Sequence, residues 1–371
     1  MSKRSVPNDN RSQFARHSFC FGAYYLQKEQ IVKKILFYLI ALFCIVFLIP
    51  SICTRQKRQL QKNENVENIS EEKTVESNYE ANYPKYDYTK FGTIKLYRSK
   101  TGEIEELPID EYLYGVVSSE MPVKYEMEAL KAQAVVARTY TIYQITHSNG
   151  KHNNADICDN YACCQAWISK EDRFAKWNEL DAENNWKKIV NAVNSSQGKV
   201  ITYNGDVIDA FFHSNSGGIT ETASNVWGGQ NFPYLQSVET IGEEGYEQYS
   251  SEVELSKDEL INKLKEKHPE IEINFDEADS IKILEFTESG RVKTIKIGNI
   301  KIAGTELRTC LELKSTNFSF EIKENSVVFF VKGYGHGVGM SQTGADSLAK
   351  QGLNYEDIIK HFYSNVEIIN L

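Results

Sequence analysis

The sequence predicts an α+β fold: a mixed helical and β main region with an inserted smaller α/β subdomain, preceded by a single transmembrane helix. Three observations predict it. Residues 35–52 form an uncharged apolar run, alternating strand patterns interleave with helical ones from Phe91 onward, and residues from about 239 to 321 change to a charged texture before the apolar pattern returns. At 371 residues the chain has room for two domains or one large one, with ample core. A net charge of −9, with no long basic stripe beyond the N-terminal segment, excludes a nucleic-acid binder.

The run at 35–52 is just long enough to span a bilayer core. More than thirty residues precede it and no Ala-x-Ala site follows before Arg55, so it reads as an uncleaved anchor rather than a signal peptide. Lys28, Lys33 and Lys34 flank one side and Arg55, Lys57, Arg58 and Lys62 the other, so charge alone does not orient it. The organisation expected is a segment at 1–34, the anchor at 35–52, a solvated linker at 53–90 rich in Glu, Asn, Ser and Lys, and a folded region at 91–371.

Within the folded region, 92–98 alternates like a strand, Thr101-Gly102 is a turn signal and 103–107 returns as its partner. Asp110 reads as the N-cap of a short helix at 111–119, which must stop near Met121 because Pro122 turns its predecessor away from the α region. A longer helix at 125–147 repeats Met127, Leu130, Ala134 and Ala137 at helical spacing. Another helix is expected at 186–196. Asn204-Gly205 between the apolar runs 200–203 and 207–212 is a hairpin signal. The inserted subdomain offers a helix at 256–267 and strands at 280–286 and 292–297. A strand at 326–332, a glycine-rich loop and a final helix at 355–363 complete the chain.

Two features carry candidate chemistry. Glu120, in Ser118-Ser119-Glu120-Met121-Pro122, closes a short helix, where the negative end of the helix dipole and any burial raise a carboxyl pKa and so favour a general acid. The pattern His152-x5-Cys158-x4-Cys163-Cys164 offers four N/S donors of the kind tetrahedral zinc prefers. A disulfide from Cys158 to Cys163 or Cys164 is the competing reading, and the adjacent cysteines require a sharp turn. His147 is a further nitrogen, but its place on the preceding helix reads as an exposed side chain.

Two polar glycine-rich loops accompany them. His213-Ser214-Asn215-Ser216-Gly217-Gly218 follows an apolar strand and suits a hydroxyl-rich ligand. The loop at 333–342, with His336, Ser341 and Gln342, has no ribose-binding acid about twenty residues on, so it is not a dinucleotide fingerprint. A triad of Ser216 or Ser341 with His213 or His336 lacks a nucleophile elbow.

Four motifs in consistent order resemble the stage II sporulation protein D family of peptidoglycan lytic transglycosylases. They are Asp110-Glu-Tyr-Leu-Tyr-Gly-Val-Val-Ser-Ser-Glu-Met-Pro122, Ala129-Leu-Lys-Ala-Gln-Ala-Val-Val-Ala-Arg-Thr-Tyr140, the 213–218 loop and the 333–342 loop. The resemblance spans 91–371 and implies an enzyme that cuts glycan strands between N-acetylmuramic acid and N-acetylglucosamine, preferring strands stripped of stem peptides, during engulfment of the forespore. It places the catalytic glutamate on Glu120 and the family's important arginine on Arg138, with Gln133, Arg138, His213, Ser214, Ser216, His336, Ser341 and Gln342 as substrate-binding candidates. It further implies a structural zinc ion on His152, Cys158, Cys163 and Cys164, where Cys163 stands in place of the family's histidine.

The partners implied are peptidoglycan glycan strands, the membrane through the N-terminal helix, and proteins like stage II sporulation proteins P and M, with no nucleic acid. The location implied is a single-pass membrane protein with a cytoplasmic N-terminus and an extracytoplasmic catalytic region, on the mother-cell membrane facing the intermembrane space. The competing readings are a zinc-dependent cell-wall amidase or peptidase, and a wall-binding protein in which Glu120 is inert.

Overall fold

The computed structural model describes residues 87–371 apart from 89, 148–150, 153 and 231. The segment at 1–34, the anchor at 35–52 and most of the linker therefore lie outside the described residues. No helix among the described residues is long and apolar enough to cross a membrane. The described residues form one compact unit of mixed helices and strands.

Strands β1 (Thr93–Tyr97) and β2 (Ile104–Pro108) pair antiparallel. Helix α1 (Ile109–Glu120) follows at once, with Pro108 at its N-cap and Met121 extended at its end. Asp110 is not the cap expected from the sequence. Its carboxylate accepts from the Tyr88 hydroxyl and pairs with Arg138, so it serves the tertiary structure from inside the first turn. Helix α2 (Met127–His147) is buried on nearly all sides as far as Ile142, which identifies it as the central helix that α1 and later elements pack against. Strand β3 (Ile157–Cys158) then joins β1 in parallel, and the carboxylates of Asp156 and Asp159 accept from the Lys95 and Ser99 amides, binding the cysteine loop to the first hairpin.

Helices α3 (Lys170–Phe174) and α4 (Glu179–Asn194) lead to β4 (Lys199–Tyr203) and β5 (Asp206–Val207). Helix α4 starts earlier than the sequence indicates because Asn178 caps it through Leu180. The Asn204-Gly205 turn is present, with φ of 53° and 88° as a two-residue hairpin loop requires. The strand expected to run on to Phe212 stops at Val207: the Phe211 amide donates to the Asp209 carbonyl, a three-residue turn that leads the chain out of the sheet. It enters β6 (Phe212–His213), short helix α5 (Ala223–Trp227) and then β7 (Ser250–Ser256).

Helix α6 (Lys257–Lys265) begins with a reciprocal capping box between Ser256 and Glu259. Strands β8 (Ile281–Phe286), β9 (Val292–Ile297) and β10 (Ile300–Ala303) form one sheet, α7 (Gly304–Leu311) packs on it, and β11 (Asn317–Ile322), β12 (Ser326–Lys332) and β7 form another. A second hydrophobic core draws its buried residues from Leu260 to Val331. Val327, Phe329 and Val331 point into it, so β12 belongs with this core rather than with the return to the main region that the sequence indicates. The chain re-enters the first core through β13 (Met340–Ser341), which pairs in parallel with β6, then α8 (Gln342–Lys350), α9 (Tyr355–Phe362) and β14 (Glu367–Asn370), which closes on β4.

Candidate functional site: a half-buried glutamic acid beside a thiol cluster

Glu120 is the last residue of α1 and is only partly exposed. The Ala166 amide donates to its Oε1 at 2.6 Å, and Gln342 Nε2 lies 3.5 Å from its Oε2. Burial pushes its pKa from the ordinary 4.5 up to about 7, against the opposing pull of those two bonds. The same Gln342 amide reaches Gln133 Oε1 at 3.4 Å, so Gln133 on α2 orients Gln342 on α8, which orients the carboxyl.

What brings Ala166 to Glu120 is a glycine inside α1. A Cβ at Gly115 would stand 2.3 Å from Trp167 Nε1 and 2.6 Å from the Ile168 carbonyl oxygen, so only glycine lets the 165–168 segment lie this close to the helix. Gln165 fixes the segment from the other side, donating to the Tyr112 hydroxyl at 2.8 Å and to Thr141 Oγ1 at 2.9 Å.

Immediately upstream stand the four N/S donors. The ligand atoms of His152, Cys158, Cys163 and Cys164 all lie within 4.8 Å of one another, and Cys164 Sγ is 3.2 Å from His152 Nε2. No disulfide joins them; Cys158, Cys163 and Cys164 are free thiols. The adjacent cysteines converge because Asn160 opens a tight turn, its carbonyl accepting from both the Cys163 and Cys164 amides and its side chain from Ala162. Burial raises the Cys158 thiol and pushes Cys164 up to about 12, so without a cation these sulfurs hold their protons. The arrangement fits a tetrahedral ion, for which Zn–S bonds of about 2.3 Å put ligand atoms about 3.8 Å apart. These four residues could bind a metal. His147 is outside the cluster, exposed and stacked on Tyr143 at 4.1 Å between centroids.

The other sequence candidates divide by environment. Arg138 has no exposed surface; its guanidinium donates to the carbonyls of Val193, Ser196 and Lys199 and pairs with Asp110, closing the C-terminal end of α4. It is an architectural residue and faces no cleft, contrary to a substrate-binding role. Ser216 and Ser341 are likewise fully buried, both hydroxyls donating to Glu243. Thr240 and Thr343 do the same at 2.7 Å each, and the Ser216 and Gly218 amides add bonds at 3.2 Å. These hydroxyls therefore hold the two glycine-rich loops together instead of presenting groups to a ligand. Neither serine bonds a histidine, which disposes of the triad. Ser214 is partly exposed, and its carbonyl accepts from the Thr343 amide.

His213 Nδ1 donates to the Val338 carbonyl at 3.1 Å, and burial with the Arg291 charge pushes its pKa down to about 3. His336, partly exposed and 5.6 Å away between ring centroids, accepts from the Val338 amide and is also held well below the ordinary range by burial. Both rings are neutral and do not act as acids at neutral pH.

Two residues went unseen in the sequence. Glu243 lies in a charged stretch that reads as surface, yet has no exposed area. Asp209 is 9% exposed, with Oδ1 unbonded among the described residues and a pKa pushed up to about 7 by burial. Its only sequence signal is an acid within an otherwise apolar strand pattern.

A family model described as Stage II sporulation protein matches residues 97–203, and a domain of unknown function matches 239–339. The chain is 35% identical over 278 residues to Stage II sporulation protein D of Bacillus amyloliquefaciens, covering 74% of this chain and 78% of the relative. It is 34% identical to Stage II sporulation protein D of Bacillus subtilis with the same coverage. It is also 30% identical to the Amidase enhancer of Bacillus subtilis over 68% of this chain and 39% of that protein.

Proposed function

The chain belongs to the stage II sporulation protein D family, and from that premise we propose that it is a sporulation enzyme of the cell wall, a lytic transglycosylase that cuts glycan strands between N-acetylmuramic acid and N-acetylglucosamine. The observation that carries the reading is the carboxyl of Glu120, fixed by Ala166 and Gln342 with a pKa near 7. At that value about half the carboxyls are protonated at neutral pH, which suits a group that must both give and take a proton. Glu120 donates its proton to the glycosidic oxygen as the C1–O4 bond breaks. The resulting carboxylate then accepts the proton of the muramyl 6-hydroxyl as O6 bonds to C1. The carboxyl ends as it began, no water is consumed, and the product is a 1,6-anhydromuramyl end.

An inverting hydrolase needs a second carboxylate roughly 6.5–9.5 Å from the acid to activate water. Glu128, close in sequence, is committed to Lys131 at 2.6 Å and to the Tyr355 amide at 2.9 Å. Asp209 is the observation favouring a hydrolytic alternative, and isotope labelling separates the two. Digestion of peptide-free glycan in ¹⁸O-water gives unlabelled anhydro ends for a transglycosylase. Labelled reducing ends as the main product would overturn the assignment.

In this reading the thiol cluster holds zinc structurally. Four protein donors leave no open position for a water, which disfavours a zinc amidase or peptidase. His152, Cys158, Cys163 and Cys164 would hold the ion, and with it the turn from which Gln165 and Ala166 depart. Residues 35–52 anchor the chain with its N-terminus cytoplasmic and residues 91–371 outside, on the mother-cell membrane facing the intermembrane space, beside stage II sporulation proteins P and M. The module at 239–339 is an insertion that supports the site loops: Arg291 Nη2 donates to the Ser216 carbonyl at 2.6 Å, and Ser289 donates to Glu221 at 2.6 Å.

A further inference from the structure

Trp227, the last residue of α5, is 52% exposed, alone among the tryptophans in being exposed. A single exposed apolar side chain ordinarily needs no account. This one differs in how it is held. Phe211 lies 4.6 Å from it between ring centroids at 39°, and His336 lies 5.1 Å away at 51°. Phe211 rests on Tyr140 and His336 on His213, so the indole stands on two rings that are themselves supported. One part of it is packed and the rest is open to solvent. Gly228 and Gly229 follow with φ of 73° and 77°, and a Cβ at either would meet nothing within 4 Å.

Its place in the fold gives the support a meaning. Phe211 precedes β6, and its carbonyl accepts from the Met340 amide at the start of β13. Gln342, which reaches Glu120, lies two residues further on, at the start of α8. The ring stack is thus tied to the start of β13 through Phe211, and the candidate acid to the residue after its end through Gln342.

We propose that Trp227 is a saccharide-stacking platform, its open surface receiving the C–H face of a pyranose ring of the glycan strand at a subsite displaced from the bond Glu120 acts on. This rests on the glycan-cleaving reading above. The indole face carries the negative part of the aromatic quadrupole, and the C–H bonds of a pyranose, polarised by its oxygens, present the positive complement while its equatorial hydroxyls stay in water. The neutral imidazole of His336 beneath it adds no competing charge.

The test measures binding of peptide-free glycan and of the N-acetylglucosamine tetramer to the full chain carrying Glu120→Gln, so that nothing is cleaved. Adding Trp227→Ala should weaken binding about tenfold, the scale of one good aromatic contact, and Trp227→Phe should restore most of it. The indole fluorescence change on glycan addition should vanish with Trp227→Phe while binding persists, which a merely structural role would not produce. Unchanged affinity in Trp227→Ala, a fluorescence change retained in Trp227→Phe, or no glycan binding by the Glu120→Gln chain would each overturn the platform. Anhydro product from wild type with unaltered Trp227→Ala binding sinks the platform alone; tryptophan-dependent binding without product sinks the cleavage reading alone.

Discussion

Replacing Glu120 with Gln should make the protein more stable as well as inactive, by an amount that depends on pH. The native carboxyl has its pKa raised from 4.5 to about 7, so between those values the folded state holds a proton that the unfolded state has released. Stability then falls as pH rises, at about 1.4 kcal/mol per pH unit and about 3 kcal/mol in all, levelling off above pH 7. The carboxyl's stabilising contribution is fully present below pH 4.5 and lost as pH passes 7. The side-chain amide that replaces it in Glu120→Gln does not titrate, so the variant should match wild type at pH 4 and exceed it by up to about 3 kcal/mol at pH 8; other titrating groups, Asp209 included, are common to both and cancel. Partial solvent exposure of Glu120 makes this figure an upper value. Urea denaturation of both proteins at pH 4 and pH 8 reads the difference directly. Equal stabilities at pH 8 would refute the claim that Glu120 is desolvated. The same proton governs catalysis: kcat/KM should decline about tenfold per unit above pH 7, and Glu120→Gln should lose about 10²–10⁴ in rate.

Other expectations follow from the surrounding contacts. Cys158→Ser, Cys163→Ser and Cys164→Ser should each bind less than one equivalent of zinc and melt lower, whereas His147→Ala should keep its metal; elemental analysis and thermal melts check both. Gly115→Ala should retain zinc and fold but lose activity, on the order of 10²-fold, because its methyl group displaces the 166–168 backbone; full turnover on purified glycan would remove Ala166 from the mechanism. Glu243→Ala should cost about 3 kcal/mol or more, since four hydroxyls and two amides lose their acceptor, and chemical denaturation measures this. Asp209→Asn should leave the product a 1,6-anhydro sugar by mass spectrometry; a collapse of turnover with intact folding would instead promote Asp209 to a catalytic role.

The sequence was legible where a short-range rule decides the outcome. Asn204-Gly205 can hardly be other than a hairpin turn, and the apolar spacing within 125–147 marks its helix. The four metal-site candidates were legible too, because they occupy one short loop. What was not legible depends on where distant segments meet. Arg138 looks the same in sequence whether it reaches a ligand or the end of α4, and only the packing of α2 against α4 sends it to the latter. Ser216 and Ser341 read as groups offered to a sugar until Glu243, from a third segment, claims both. The strand expected to reach Phe212 was lost because the turn at Asp209 competes with continued pairing, and that choice is settled by β13, some 130 residues away in the chain.

The shorter of the two bonds that fix Glu120 leaves no mark on the sequence at all, because its donor is the Ala166 backbone amide. Any residue but proline at 166 would supply the same donor, so the information lies in what places that amide. Gly115 clears the space, Gln165 ties the segment to Tyr112 and Thr141, and the thiol cluster ends one residue before Gln165. A metal in that cluster would therefore be tied to the carboxyl's partner through the chain from Cys164 to Ala166. Its removal should change the rate more than the apparent glycan affinity, because Trp227 and the glycine-rich loops are held by Phe211, His336 and Glu243 and not by the cysteine turn. Loss of glycan affinity in step with loss of rate on chelation would show that glycan binding depends on the cysteine turn.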